Sequence, residues 1–185
     1  GRGYVTYDEG SGEFSLSPEQ AAVFAREDEP TCIQGLIQGV VGQFVKEDIA
    51  VDVFKTGRGR PWGEHHECCF CGTERFFRPA YAGHLLSEWI PALEGVEAKL
   101  KLGAKVADIG CGLGTSSLLM AEQFPNSTIH AYDFHAPSIE EAKRRAMEKG
   151  LSNLEFFVSD AASVSREGYD LACIFDAWHD MGDPV

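Results

Sequence analysis

Positive charge is scarce in this 185-residue chain: 16 Lys and Arg stand against 29 Asp and Glu, for a formal charge of −13. No basic run is long enough to form a phosphate-binding patch. Such a chain repels DNA and anionic membrane surfaces, so a small-molecule or protein partner is expected and nucleic acid is not. Also lacking are an apolar stretch long enough to span a bilayer and a signal-peptide pattern. Cysteine number and spacing add a further exclusion. The six cysteines follow no regular framework, and Cys111 and Cys173 fall in ligand-loop and buried-strand contexts. A reducing, cytoplasmic setting is therefore expected rather than a disulfide-stapled one. There is no internal repeat and no low-complexity segment, and 44% hydrophobic residues is ordinary for a globular protein.

What is present is concentrated in one run, Val106-Ala107-Asp108-Ile109-Gly110-Cys111-Gly112-Leu113-Gly114-Thr115. A short apolar strand leads into glycines spaced GxGxG, and an apolar helix is expected at 113–124. Gly110 and Gly112 allow a sharp turn and let a ligand lie against the backbone. The helix N-terminus behind them offers free N–H groups to an anionic group. A dinucleotide fingerprint, GxGxxG, would need glycine at 115, where this chain has Thr115.

Three further strands follow, each ending in a polar loop. Thr128-Ile129-His130-Ala131-Tyr132 ends at Asp133, 23 positions beyond Gly110, where an acid accepts ribose hydroxyls in nucleotide folds. The plainer alternative is that Asp133 caps the next turn. A helix then begins at Pro137, with Ser138 and Glu141 at capping-box spacing, an apolar stripe of Ile139, Ala142, Ala146 and Met147, and Gly150 as its stop. Leu154-Glu155-Phe156-Phe157-Val158 ends at Ser159-Asp160-Ala161. The fourth strand, 169–175, ends at Asp176-Ala177-Trp178-His179-Asp180. All four read as nearly continuously apolar, as in a parallel sheet buried on both faces. Their aligned carboxyl ends would line a ligand crevice.

Upstream, residues 3–16 read as a hairpin around Asp8-Glu9-Gly10-Ser11-Gly12. Ser17-Pro18-Glu19-Gln20 has the form of a capped helix start. Residues 17–100 read as mostly helical, with a glycine- and glutamine-rich stretch at 33–45 expected to be loosely packed or mobile. Residues 57–63 form a loop, and apolar helices are expected at 73–79 and 81–93. His65, His66, Cys68, Cys69 and Cys71 crowd into seven positions without a second knuckle, a poor spacing for structural zinc; no metal is expected, and the cysteines read as small packing residues at a helix start. Trp62, Phe76 and Tyr81 could form an apolar acceptor pocket or simply pack in a core. His65 or His66 could face the ligand crevice.

Asp108 two residues before the first glycine, the GxGxG run, Trp62-Gly63-Glu64-His65, Gly72-Thr73-Glu74-Arg75-Phe76-Phe77-Arg78-Pro79 and His179-Asp180-Met181-Gly182-Asp183-Pro184 together resemble a bacterial subfamily of class I S-adenosylmethionine (SAM)-dependent methyltransferases with a winged-helix-like N-terminal domain. The resemblance implies an α/β, Rossmann-like sheet at 101–185, a helical dimerisation and lid region at 17–100, and a β-wing remnant at 1–16. It also implies that both ends are cut, leaving strands one to four in the order 3-2-1-4 without five to seven, so that this piece would bind cofactor weakly and lack turnover. Gly110, Gly112 and Gly114 would carry the methionine part of SAM, and Asp108 would orient the loop or meet the ammonium through water. Asp133 would accept the ribose and Phe134 would flank the adenine. Asp160 and Ala161 would bind the adenine edge, while Phe175 and Asp176 would line the crevice near the methyl group. The acceptor would be a small molecule and the protein a homodimer. His179, just beyond the fourth strand, is the candidate base; its alternative is a helix-capping or backbone-bonding role. Competing functions are a winged-helix transcription regulator with a cofactor-sensing domain and, less favoured by Thr115, an NAD(P)-dependent oxidoreductase.

Overall fold

The structure, a computed structural model, describes residues 3–165 and 167–181. Gly182, Asp183 and Pro184 of the last motif lie outside the described residues. The chain divides between Ala80 and Tyr81 into two compact units.

The first unit opens with an antiparallel hairpin, β1 (Thr6–Asp8) and β2 (Glu13–Ser15), pairing Thr6 with Ser15 and Asp8 with Glu13. Asp8 holds the turn by accepting from the Ser11 N–H at 2.7 Å. A two-stranded hairpin does not by itself identify a winged helix. Helix α1 (Pro18–Phe24) starts with the expected capping box: Gln20 N–H donates to Ser17 Oγ, and Ser17 N–H donates to Gln20 Oε1. Helices α2 (Gln34–Val45), α3 (Glu47–Thr56) and α4 (Glu67–Ala80) complete the unit.

The glycines of α2 do the opposite of what the sequence suggests. A Cβ on Gly35 would stand 2.3 Å from the Phe76 N of α4, and one on Gly72 would stand 2.5 Å from the Gly39 N of α2. The stretch is therefore tightly packed rather than loose, with backbones in contact where side chains are missing. Arg75 of α4 clamps the pair, donating to Glu27, Gln34 and Gln38. The cysteine cluster does begin a helix: Cys69 is buried against α2 while Cys71 is exposed.

The second unit begins with a π-helix, Tyr81–Trp89, followed by α5 (Val96–Leu102). Strands β3 (Lys105–Ile109), β4 (Thr128–Asp133), β5 (Leu154–Val158) and β6 (Leu171–Cys173) form one parallel sheet in the order β5-β4-β3-β6. That is the expected 3-2-1-4 order. Helices α6 (Thr115–Gln123) and α7 (Ala136–Glu148) connect the first three strands, α6 starting two residues later than predicted. Two local expectations fail. Helix α7 is preceded by His135, and Ser138 lies buried in its first turn bonded to His135 Nδ1 at 2.8 Å, so the Ser138–Glu141 box does not form. The strands are also not uniformly buried. β3 buries three consecutive residues, whereas in β4 Ile129, Ala131 and Asp133 are buried and His130 and Tyr132 are half-buried on the opposite face. The core is Leu85, Leu100, Val106, Met120, Phe124, Ile129 and Ile139, all essentially without solvent exposure.

Candidate functional site

The strand order reverses between β3 and β6, since β4 and β5 lie to one side of β3 and β6 to the other; the carboxyl ends at such a reversal border the crevice where ligands bind in open α/β sheets. The glycine loop hangs from the end of β4. Gly110 and Cys111 N–H groups both donate to the Tyr132 carbonyl, at 2.8 and 3.0 Å. Gly112 N–H donates to Asp133 Oδ2 at 2.9 Å, while His135 N–H donates to Oδ1 at 2.8 Å. Asp133 thus caps the turn and also fastens the loop; each oxygen keeps a lone pair for a further donor.

The three glycines have separate reasons. Gly114, at φ +80, has no room for a Cβ, which would fall 2.9 Å from the Phe156 ring. Gly110, at φ +75, would place a Cβ 2.4 Å from that of Ala177, so the loop after β6 lies against the glycine loop. At Gly112 nothing lies within 4 Å of that position; its backbone faces open space.

Asp108 is fully buried. Its Oδ2 accepts the Ser116 and Ser117 hydroxyls of α6, at 2.7 and 2.5 Å, and its Oδ1 has no hydrogen-bond partner. Burial raises its pKa above the ordinary carboxylate range. Two serines in the first turn of α6, which no motif or spacing singles out, therefore hold this acid. The neighbouring thiols are kept neutral: burial pushes Cys173 up to about 12 and Cys111 well above its usual value.

Around the rim, Phe134 is exposed and Asp160 Oδ1 accepts the Ser163 N–H at 2.8 Å, capping the short 3₁₀ turn that contains Ala161. Phe175 packs against Tyr81, ring centroids 5.5 Å apart. Burial and the charges of Asp108 and Asp176 raise the Tyr81 phenol above its usual pKa. Asp176 sits at φ +53, the one non-glycine residue with positive φ among those described. His179 lies in a short 3₁₀ turn, Trp178–Asp180, well exposed, with Nδ1 3.8 Å from Asp176 and Nε2 3.5 Å from Asp180. Trp62 and His65 stand together, centroids 5.4 Å apart, in the first unit, where Gln43 reaches both His65 Nδ1 and Cys69 Sγ. Phe76 packs instead against Phe77. Among the described residues no group of three or more His, Cys, Asp or Glu is arranged to hold a metal ion.

The residues present fit an elongated cofactor with a cationic end: an orphaned buried carboxylate oxygen, an open glycine backbone and an acid at the second strand end occur along one crevice. Residues 100–185 match the family profile described as a methyltransferase domain. The chain is 32% identical over 80 residues to ribosomal RNA small subunit methyltransferase C of Haemophilus influenzae, covering 43% of this chain and 24% of that protein. It is 40% identical over 60 residues to aklanonic acid methyltransferase DauC of Streptomyces sp. strain C5, covering 32% and 27%. It is also similar to coclaurine N-methyltransferase solved with N-methylheliamine and SAH (TM-score 0.39, 25% identity, 45% and 25% coverage). The chain spans about a quarter of the length of these relatives. S-adenosylmethionine is the cofactor of this family. Residues 100–185 thus match a methyltransferase-domain profile and form the parallel sheet, in 3-2-1-4 order, expected of a class I, SAM-dependent methyltransferase.

Proposed function

We propose that this chain binds SAM along the carboxyl ends of its four parallel strands and that the methyl group is destined for a small-molecule acceptor. The observation that carries the reading is the double role of Asp133, which fastens Gly112 and His135 and so presents an open glycine backbone at the strand-order reversal. Bound there, SAM supplies a methyl group already activated by its sulfonium. The chain's own work is positioning and exclusion of water. Gly110, Gly112 and Gly114 take the methionine part, with Asp108 Oδ1 toward its ammonium. Asp133 takes the ribose, Phe134 flanks the adenine, and Asp160 with Ala161 takes the adenine edge. Phe175, Asp176 and Tyr81 border the methyl group. His179, exposed between two carboxylates, accepts a proton from an acceptor that must lose one.

The small-molecule acceptor rests on the similarity to an aklanonic acid methyltransferase. The expectation that acidic charge excludes nucleic acid needs correcting, because one relative is a ribosomal RNA methyltransferase; both acceptor classes belong in the test. We further propose a homodimer formed through the exposed apolar face of α2 and α3. Calorimetry should show S-adenosylhomocysteine (SAH) binding to the chain, weakened by roughly 1–3 kcal/mol in Asp133→Ala, the cost of stranding buried polar partners. Unchanged affinity in that variant removes the ribose assignment. Transfer of labelled methyl from SAM to a fractionated small-molecule extract, with total RNA in parallel, then identifies the acceptor class.

A further inference from the structure

Two aromatic side chains of the second unit, Trp89 and His84, are left over by this assignment, and Trp89 stacks onto a ring that it uses. Trp89, the last residue of the π-helix, stacks near-parallel to two other rings: Phe175 at 28° and His84 at 23°, each with centroids 6.3 Å away. Tyr81 closes the group edge-on, 6.1 Å from Trp89. Tyr81 and Phe175 are partly buried against the core, whereas Trp89 remains 40% exposed. The cluster is also tied to the crevice, since Phe175 directly precedes Asp176 and Ala177, and Ala177 abuts Gly110. The segment that presents it is unusual in itself. Nine consecutive residues adopt π-helix, a conformation rare in proteins and frequent at functional sites. Its widened turn is closed by the Ile90 N–H donating to the Leu85 carbonyl at 3.0 Å, while Leu85 and Ile90 are buried, so the wide turn is anchored on its core side.

We propose that Trp89, backed by Phe175 and Tyr81, is the specificity-determining platform for the acceptor, and that this acceptor is a planar, non-anionic, ring-bearing small molecule stacked on the indole. Aromatic faces reward flat partners in offset-stacked or edge geometry beyond simple area burial. Carboxylates border the cluster, Glu88 bonded to His84 and Asp108 and Asp176 acting on Tyr81, and they disfavour an anionic acceptor. The inference rests on the SAM-dependent reading of the same crevice.

The test is calorimetry on the 185-residue chain, first with SAH, then with 1-naphthol added to the SAH-saturated chain. Decahydro-1-naphthol serves as the non-aromatic match. The expected result is 1-naphthol binding at least tenfold tighter than its saturated analogue. Trp89→Ala should remove that preference, Trp89→Phe should restore most of it, and SAH affinity and the melting temperature should stay unchanged in both. Equal binding of the two alcohols, no binding of either beside normal SAH binding, or a Trp89→Ala variant that loses thermal stability but keeps the preference overturns the platform and leaves the cofactor reading intact. Failure of SAH itself to bind overturns the cofactor reading and this inference with it. Tight binding of an RNA oligonucleotide in place of 1-naphthol, competed by Trp89→Ala, also overturns the small-molecule assignment.

Discussion

At the level of single residues, Asp108 shows a local cost retained for a use. A carboxylate buried with one oxygen unpartnered is destabilising, because its charged form gives up water without full compensation. Replacing it by Asn keeps an acceptor for Ser116 and Ser117 and removes the charge. Asp108→Asn should therefore unfold with about 1 kcal/mol more stability at neutral pH, while binding SAH about tenfold more weakly. The pH dependence has a definite sign. The folded carboxyl titrates above its ordinary 3.8, so its native state gains relative stability as pH falls. The advantage of the Asn variant should be absent below about 3.8 and grow as pH rises through the elevated value, which denaturant melts across pH 3–8 would read. The acid and the glycines are legible in the sequence because the turn chemistry demands them. The serines that hold the acid, and Trp89, are not, because hydroxyl bonds at 2.5–2.7 Å and a ring stack depend on tertiary placement that no spacing rule carries.

For whole elements, the informative case is the α2–α4 pair. Glycine scattered through a predicted helix argues for weak packing from propensity alone. Here it removes the side chains that would keep two backbones apart. Gly72→Ala should destabilise the chain by roughly 1–3 kcal/mol or more through backbone clash. Gly39→Ala, whose added Cβ meets nothing within 4 Å, should be neutral or stabilise by up to about 1 kcal/mol. Thermal melts of the two variants side by side distinguish a packed seam from a loose helix. Helix α7 offers a second test. Arg144 and Arg145 hold the Glu141 carboxyl down at about 2, against an ordinary 4.5. The stability this contributes is present above about pH 4.5 and is lost as pH falls toward 2. Its size is limited to roughly 1 kcal/mol by solvent screening of half-exposed partners. Glu141→Gln should flatten the acid limb of the melting curve in that window. The capped start of α1 and the glycine stop of α7 were readable because they are local. The start of α7 was not, since the His135 N–H answers to Asp133, an acid belonging to the strand before it.

At the scale of the whole molecule, the exposed apolar side chains of the first unit gather on one helix face. Leu36, Ile37, Val40, Val41, Phe44 and Val45 recur on one face of α2, and Val51 and Phe54 extend it on α3. The twelve residues of α2 contain no charge, so two copies of a strongly acidic chain could meet there without repulsion. Sedimentation should show a dimer that Phe44→Glu together with Phe54→Glu converts to monomer; a monomeric parent chain would remove the proposal. The sheet order was readable from four strand-ending loops, whereas this surface became visible only once the glycine seam had settled which face of α2 turns inward.

The same sheet order also sets a schedule. β3 pairs on one side with β4, about twenty residues later, but on the other with β6, whose Leu171 lies opposite Val106. A ribosome adding about 5–20 residues per second delivers that second neighbour several seconds after the first. For that interval the most buried strand of the domain has one edge uncovered. Asp170, which binds the Lys105 N–H at 3.0 Å and Lys99 at 2.9 Å, ties the segment just ahead of β6 to the start of β3 and so fixes its register. The time a newly made chain stays vulnerable to wrong pairing is thus set by how far apart two neighbouring strands were written.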